Sequence, residues 1–315
     1  MSDEFGRIQE LRRRFCCPSS DVVLGIGDDA ALLSPCTAAL VVSVDAHVEG
    51  VHFRREWASL RQIGRRAVVA ALSDLAAMAA MPRAALVAMT LPLGLQDAEL
   101  YELADGIGDA ARAHRCPIVG GNLSRASDLS LTTTVCGRCT GKPLTRQGAR
   151  AGDGIWVTGQ LGAAALGLAA LTAGETGERA RPFVQRWREP MARLEEGQQL
   201  GGVGRAGIDL SDGLLQDLRH VCRASGLGAV LHADRLPLAA GHERLSRELG
   251  LNGLEVALGG GEDYELLAAL PPHARPPQWA TRIGEFTDQL GIVDVLTPDG
   301  RPLARPEREG YRHET

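Results

Sequence analysis

Only one of the chain's 34 basic residues is a lysine, Lys142, and the other 33 are arginine. The phosphate loop GxxxxGK[ST] needs a lysine to reach the nucleotide's outer phosphates, and Thr140-Gly141-Lys142-Pro143 does not fit that pattern. Ordinary P-loop kinases and ATPases are thereby excluded. Positive charge is scarce overall: 39 acidic residues leave a net charge of −5 and a pI near 5.9. Neutralising nucleic-acid phosphates takes clustered positive charge, so no nucleic-acid partner is expected. Long apolar runs are missing too. Asp74, Pro82 and Arg83 break the stretch 67–91, and 161–173 is short. Neither supplies the roughly 18 apolar residues of a membrane span, and no membrane partner is expected.

Cysteine is sparse and odd in number, at positions 16, 17, 36, 116, 136, 139 and 222. That is no paired disulfide framework, and Met-Ser-Asp-Glu opens without an apolar signal region, so a reduced, cytoplasmic protein is expected. Aromatics are 4%, which leaves the core to Ala, Leu and Val. What is present is ordinary for a globular chain: 44% hydrophobic, 23% charged, mean hydropathy −0.06. The 315 residues suggest about two domains, and Gly 38 with Pro 16 promises many turns.

Strand and helix patterns alternate. Residues 40–45 read as a buried strand ending at Asp45, 59–79 as a helix, 84–91 as a strand, 97–114 as a helix and 129–137 as a β-prone run. A polar Gly- and Arg-bearing stretch at 141–153 marks a boundary. Beyond it, 155–159 reads as a strand, 161–173 as a helix and 174–189 as a charged surface loop. Helices are expected at 190–200, 212–225 and 239–249, and a strand near 264–270, with short strands beyond. The order predicts an α/β (α+β) protein of two halves, 1–140 and 150–315.

Acidic residues recur where the backbone turns. Asp28 and Asp29 follow Gly25-Ile26-Gly27, and Asp74 interrupts an apolar helix after Ser73. Asp209-Leu210-Ser211-Asp212-Gly213 opens another helix, and Glu262-Asp263 follow Gly259-Gly260-Gly261. Each alone also reads as a helix cap or turn former. As a set they are harder to dismiss, because Asp74 lies among apolar neighbours and a buried unpaired carboxylate is costly. Hard oxygen donors without a His/Cys cluster point to Mg²⁺. Glycines beside acids let backbone N–H groups approach phosphate oxygens.

In order, the chain carries Gly25-Ile26-Gly27-Asp28-Asp29-Ala30-Ala31, then Val44-Asp45 with Glu49-Gly50-Val51-His52-Phe53, then Ser73-Asp74-Leu75-Ala76-Ala77-Met78. Gly120-Gly121-Asn122, Arg146-Gln147-Gly148-Ala149-Arg150 with Gly152-Asp153, Asp209 to Gly213 and Gly260-Gly261-Glu262-Asp263-Tyr264 complete the set. This ordered set resembles the thiamine-monophosphate kinase family, from about residue 20 onward. The resemblance implies ATP- and Mg²⁺-dependent phosphorylation of thiamine monophosphate, the step that makes thiamine diphosphate. It also implies a two-domain fold like that of aminoimidazole ribonucleotide synthetase. There the N-terminal domain binds ATP and Mg²⁺ and shares its sheet across a homodimer, and the C-terminal domain completes the active site.

Carried over by motif position, the resemblance gives Asp29, Asp45, Asp74, Asp209 and Asp212 to several Mg²⁺ ions, with Asp28, Ser43 and Asn122 supporting. It gives Gly121, Asn122, Arg146 and Ser211 to ATP, and His52, Glu262 and Tyr311 to the thiamine phosphate. No covalent nucleophile is implied. The chain departs from the family at Asn122, where many members have Asp, and at Ala46-His47 and Ala79, which replace Thr-Leu and Gly. Tyr311 replaces a commoner Trp. Cys136-Gly137-Arg138-Cys139 is a lone CxxC, and buried or edge thiols explain it better than zinc. The rival readings are another ATP-using synthetase of the same superfamily and a non-catalytic binder of thiamine phosphates or nucleotide. Cys16-Cys17-Pro18 lacks the glycine-rich setting of a selenophosphate synthetase.

Overall fold

The computed structural model describes residues 4–27, 30–303 and 310. Asp28, Asp29 and Tyr311 lie outside the described residues. The chain divides into two compact units, Met1–Leu75 with Ala80–Thr140, and Ala76–Ala79 with Gly141–Thr315. Both mix helix and strand. No described helix is long and apolar enough to cross a membrane.

In the first unit, α1 (Glu4–Arg14) and the short strands β1 (Val22–Leu24) and β2 (Leu32–Leu33) precede β3 (Ala39–Val48) and α2 (Leu60–Ala77). Then come β4 (Met81–Pro92), α3 (Asp97–Ala113), β5 (Ile118–Ala126) and β6 (Ser130–Cys139). The main sheet has the order β3-β6-β4-β5, antiparallel except for the parallel pair β4–β5 that α3 connects. Val41, Val135, Leu131, Val87 and Met89 are buried, as are Ile63 to Leu75 of α2 and Leu100 to Ala111 of α3 on their inner positions. The two helices cross at glycines. A Cβ on Gly64 would lie 2.2 Å from the Leu103 carbonyl oxygen, and one on Gly106 1.8 Å from that of Arg61.

The run 40–45, expected as a buried strand ending at Asp45, is the first part of edge strand β3, which continues to Val48. Leu40, Val42 and Val44 are 56%, 65% and 61% exposed, so only one face of the strand is buried. Period-2 alternation explains the difference: Val41, Ser43, Asp45 and His47 take the covered face. The same period separates Cys136 from Cys139, which lie three apart on β6 and therefore on opposite faces. All seven cysteines are free thiols.

The second unit contains β7 (Gly154–Val157), α4 (Ala163–Thr172), α5 (Arg181–Arg188), α6 (Leu194–Val203), β8 (Ala206–Leu210) and α7 (Leu214–Ser225). There follow β9 (Gly228–His232), α8 (His242–Glu248), α9 (Gly253–Gly259), β10 (Glu265–Leu270), β11 (Thr281–Thr287) and β12 (Val293–Leu296). Its sheet runs β12-β9-β11-β7-β10-β8, antiparallel but for β12–β9. Leu214, Leu218 and Val221 of α7 join Ile155, Ile208, Leu267 and Phe286 in one buried core.

Two expectations fail here. The stretch 174–189 is not all loop: α5 forms within it and buries Phe183, Val184 and Trp187. Those three sit at helical i, i+1, i+4 spacing, a signal masked by the surrounding arginines. Asp209 lies in strand β8 rather than opening a helix, and α7 starts only at Leu214. Ala79, at a position where the family usually has Gly, takes φ 57°, a left-handed conformation that costs an alanine about 1 kcal/mol.

Candidate active site

In the first unit, Asp74 projects from α2 and its Oδ2 accepts the Ser43 hydroxyl of β3 at 2.5 Å. Asp74 is half-buried and partnered, not the buried unpaired carboxylate that the apolar surroundings suggested. Asp45 shares the covered face of β3 with Ser43. Just beyond, Glu49 to Phe53 fold into a tight turn, with the Gly50 N–H donating to the Phe53 carbonyl at 2.8 Å and Gly50 at φ 84°. In this turn the His52 Nδ1 accepts the Val48 N–H at 3.1 Å, and its ring stacks on His47 with centroids 5.4 Å apart. His47 is buried, and burial, with Arg66 and His52 nearby, holds its imidazole well below the usual histidine range. It is a neutral ring packed beneath His52.

Gly121 and Asn122 sit on β5 beside Val87 and Ala88 of β4. A Cβ on Gly121 would lie 2.0 Å from the Val87 carbonyl oxygen, so only glycine permits this backbone approach. Both residues line a groove of about 1200 Å³ together with Gly27, Ala30 and Arg12. The structure thus brings Gly27, Ala30 and Ala31 to one groove with Gly120, Gly121 and Asn122. Ser43, Asp45 and Asp74 are not part of that groove's lining.

In the second unit, the Asp209–Gly213 and Gly259–Tyr264 segments are knitted side by side. The Glu262 N–H donates to the Ser211 carbonyl at 2.8 Å and the Tyr264 N–H to the Leu210 carbonyl at 2.9 Å. Glycine makes this possible from both sides: a Cβ on Gly213 would lie 2.7 Å from the Gly259 carbonyl oxygen, and one on Gly261 2.4 Å from that of Ser211. Asp209 is buried, and Asp212 is half-exposed with its Oδ2 accepting Gln216 Nε2 at 2.9 Å.

Asp217 of α7 was not picked out from the sequence. Its Oδ2 accepts the N–H groups of Asp212 and Gly213, both at 3.1 Å, and so holds the turn. Burial and then the negative charges of Asp209 and Asp212 push its carboxyl up to about 8. The signal was available, because Asp217 lies between buried Leu215 and Leu218, the same setting that drew attention to Asp74. Arg146 is exposed on a turn that the Ser225 hydroxyl ties to α7, donating to the Arg146 carbonyl and accepting from the Gly148 and Ala149 N–H groups, all at 3.2 Å.

Both units therefore offer oxygen donors. Among the described residues no three carboxylate, imidazole or thiolate groups converge as a ready metal cage. Mg²⁺ commonly takes one or two protein carboxylates plus substrate phosphates and water, so this donor set fits the ion. Burial is the main cause that raises Asp217, and the negative charges of Asp209 and Asp212 that add to it are what a divalent cation would relieve.

The N-terminal domain of AIR synthase related proteins matches residues 27–139. The thiamine-monophosphate kinase of Escherichia coli (strain K12) is 38% identical, over 98% of this chain and 98% of its own length. The chain belongs to the thiamine-monophosphate kinase family. This is a family of phosphotransferases, and this chain has the fold of its solved members. The crystal structure of the Stenotrophomonas maltophilia K279a member superposes with a TM-score of 0.83 at 35% identity, covering 93% of this chain and 96% of that one. AaThiL complexed with AMPPCP and TMP gives 0.81 at 30% identity, covering 98% and 97%.

Proposed function

We propose that this chain transfers the terminal phosphoryl group of ATP to the phosphate of thiamine monophosphate, directly and in line, to give thiamine diphosphate and ADP. The observation that carries this reading is the likeness, over nearly the whole chain, to a family member complexed with AMPPCP and TMP. In this reading the first unit, expected at 1–140, supplies Ser43, Asp45, Asp74 and Asn122, with Asp28 and Asp29, to Mg²⁺. The second, expected at 150–315, supplies Asp209 and Asp212. When bound, Mg²⁺ screens the repulsion between the two phosphate groups and aligns them. Gly121, Asn122 and Ser211 take the nucleotide, and Arg146 gives its phosphates a guanidinium partner. His52, Glu262 and Tyr311 take the thiamine phosphate. An acceptor phosphate oxygen is already a nucleophile, so no side chain needs to attack and no phosphoenzyme forms.

The test is product formation from thiamine monophosphate, ATP and Mg²⁺, resolved chromatographically, with EDTA and free thiamine as parallel arms. Thiamine diphosphate and ADP are expected together, only with metal and only from the monophosphate. ATP consumption without thiamine diphosphate would move the chain to another superfamily synthetase, and ligand binding without turnover would favour the binding-protein reading.

We also infer a homodimer that shares the first unit's sheet. Leu40, Val42 and Val44 support it, since exposed valines and leucines along an edge strand mark an interaction face. Light scattering is expected to give about twice 33.4 kDa, and Val42→Asp to give the single-chain mass. A native monomer at micromolar concentration would overturn the shared sheet. We place the enzyme in the cytoplasm, where its free thiols would persist.

A further inference from the structure

The strongest unassigned feature is helix α5, in the stretch that looked like loop. Two adjacent residues on it grip the segment 262–265. The Trp187 indole N–H donates to Glu262 Oε2 at 2.7 Å. Arg186 Nη2 donates to the Asp263 carbonyl oxygen at 3.1 Å and also pairs with the Glu265 carboxylate. Arg193 adds two bonds to Glu265, at 2.7 and 2.8 Å, and the Thr158 hydroxyl a third. The Asp263 carboxylate accepts the Gly162 and Ala164 N–H groups at the start of α4, at 2.6 and 2.9 Å.

This degree of restraint has a local reason. Glu262 and Tyr264 are non-glycine residues at φ 67° and 51°, in the left-handed region that side chains disfavour. Such a conformation persists where the surroundings over-determine it, and sites that hold a group in one orientation are where it is found. Arg186, Arg193 and the α4 N–H groups fix the backbone and the buried acids. Trp187 acts on the half-buried Glu262 side chain itself. Its indole is a donor with no acceptor atom, and the ring is wholly buried, so its direction is set by the packing of α5.

We propose that Trp187 is a positioning residue: it aims the Glu262 carboxylate at the thiamine moiety of the acceptor. The inference rests on the reading that Glu262 faces the thiamine phosphate. A fixed anion suits thiamine chemically, since thiamine carries a cationic thiazolium ring and an aminopyrimidine that donates hydrogen bonds. Selection of the acceptor would then be built into α5, away from the phosphates.

Trp187→Phe keeps a buried ring and removes the donor. It is expected to raise KM for thiamine monophosphate about tenfold, the scale of one hydrogen bond's loss, while kcat and KM for ATP stay within twofold. In a Glu262→Ala background the same substitution should add nothing. Val184→Ala, a packing change on the same helix, should lower the unfolding midpoint without moving that KM. Should the Phe variant fold poorly, β-(3-benzothienyl)alanine at 187 exchanges only the N–H for sulfur and carries the same expectation. A KM within twofold of the parent, or an equal rise in the Glu262→Ala background, would overturn the proposal. If Glu262→Ala itself leaves KM unchanged, the substrate-contact reading of Glu262 fails and this inference falls with it. If Glu262→Ala raises KM and the 187 variants do not, only the inference fails.

Discussion

Asp212→Ala should cost the enzyme about 10²–10³-fold in kcat while leaving the fold as stable as before, or slightly more so in the absence of divalent cations. The two effects part because the carboxylate does little for the fold. Asp212 is half-exposed, and its side chain makes a hydrogen bond with Gln216 that water can replace. Its charge meanwhile raises the Asp217 carboxyl, after burial and alongside Asp209, to about 8. Removing that charge relieves Asp217, so the Asp217 carboxyl should move back toward the ordinary carboxylate range. If Asp212 is a Mg²⁺ ligand, the native enzyme should melt higher on adding Mg²⁺ with nucleotide, and the variant should lose most of that gain. Steady-state kinetics and thermal unfolding with and without Mg²⁺ read both quantities on one preparation. Native-like turnover, or an undiminished metal-dependent shift, would remove Asp212 from the metal site.

Most of the regular structure was legible because periodicity reports burial. Apolar patterning gave α2, α3 and α7, an Ala/Leu run after Gly162 gave α4, and apolar or β-prone runs gave β4, β6, β7 and β10. Where the sequence misled, a physical reason can be named. Residues 40–45 looked buried because the run Leu40 to Val44 is apolar but for Ser43, yet Leu40, Val42 and Val44 face outward. The arginines at 181, 186 and 188 hid α5, whose buried side is only Phe183, Val184 and Trp187. β5 escaped notice because Gly120-Gly121 has no side chain to give a pattern, and its glycines serve close backbone approach instead.

The candidate site divides in the same way. Carboxylates set among apolar residues or beside glycine, such as Asp74, Asp209 and Asp212, stood out from residue type and position. Residues that act through another residue did not. Asp217 holds the Asp212–Gly213 turn by accepting two N–H bonds, and Trp187 holds Glu262 from 75 residues away in sequence. No local pattern encodes a partner at that separation. Pairing of Ser43 with Asp74 across 31 residues is of the same kind.

Gly261→Ala should be strongly destabilising, lowering stability by about 2–4 kcal/mol through overpacking and a lost hydrogen bond. The demand at this position is for space. A Cβ would stand 2.4 Å from the Ser211 carbonyl oxygen and 3.2 Å from the Asp212 backbone, and neither atom belongs to a flexible side chain. That same carbonyl accepts the Glu262 N–H at 2.8 Å, so the two segments can separate only by stretching the bond that joins them. Gly213 blocks the alternative shift, because it already approaches Gly259 with φ 124°. The unfolding midpoint should fall by about 5–15 °C for a unit of this size. Turnover should fall by at least about tenfold even below the midpoint, since Ser211, Asp212 and Glu262 flank the strained contact. Gly202→Ala is the matched control: it lies in the last turn of α6 with nothing within 4 Å of its added Cβ. There the same methyl group should be neutral or stabilising by up to about 1 kcal/mol, from helix propensity alone. Equal midpoints for the two variants would mean that the segments do not meet as closely as Gly261 and Ser211 require.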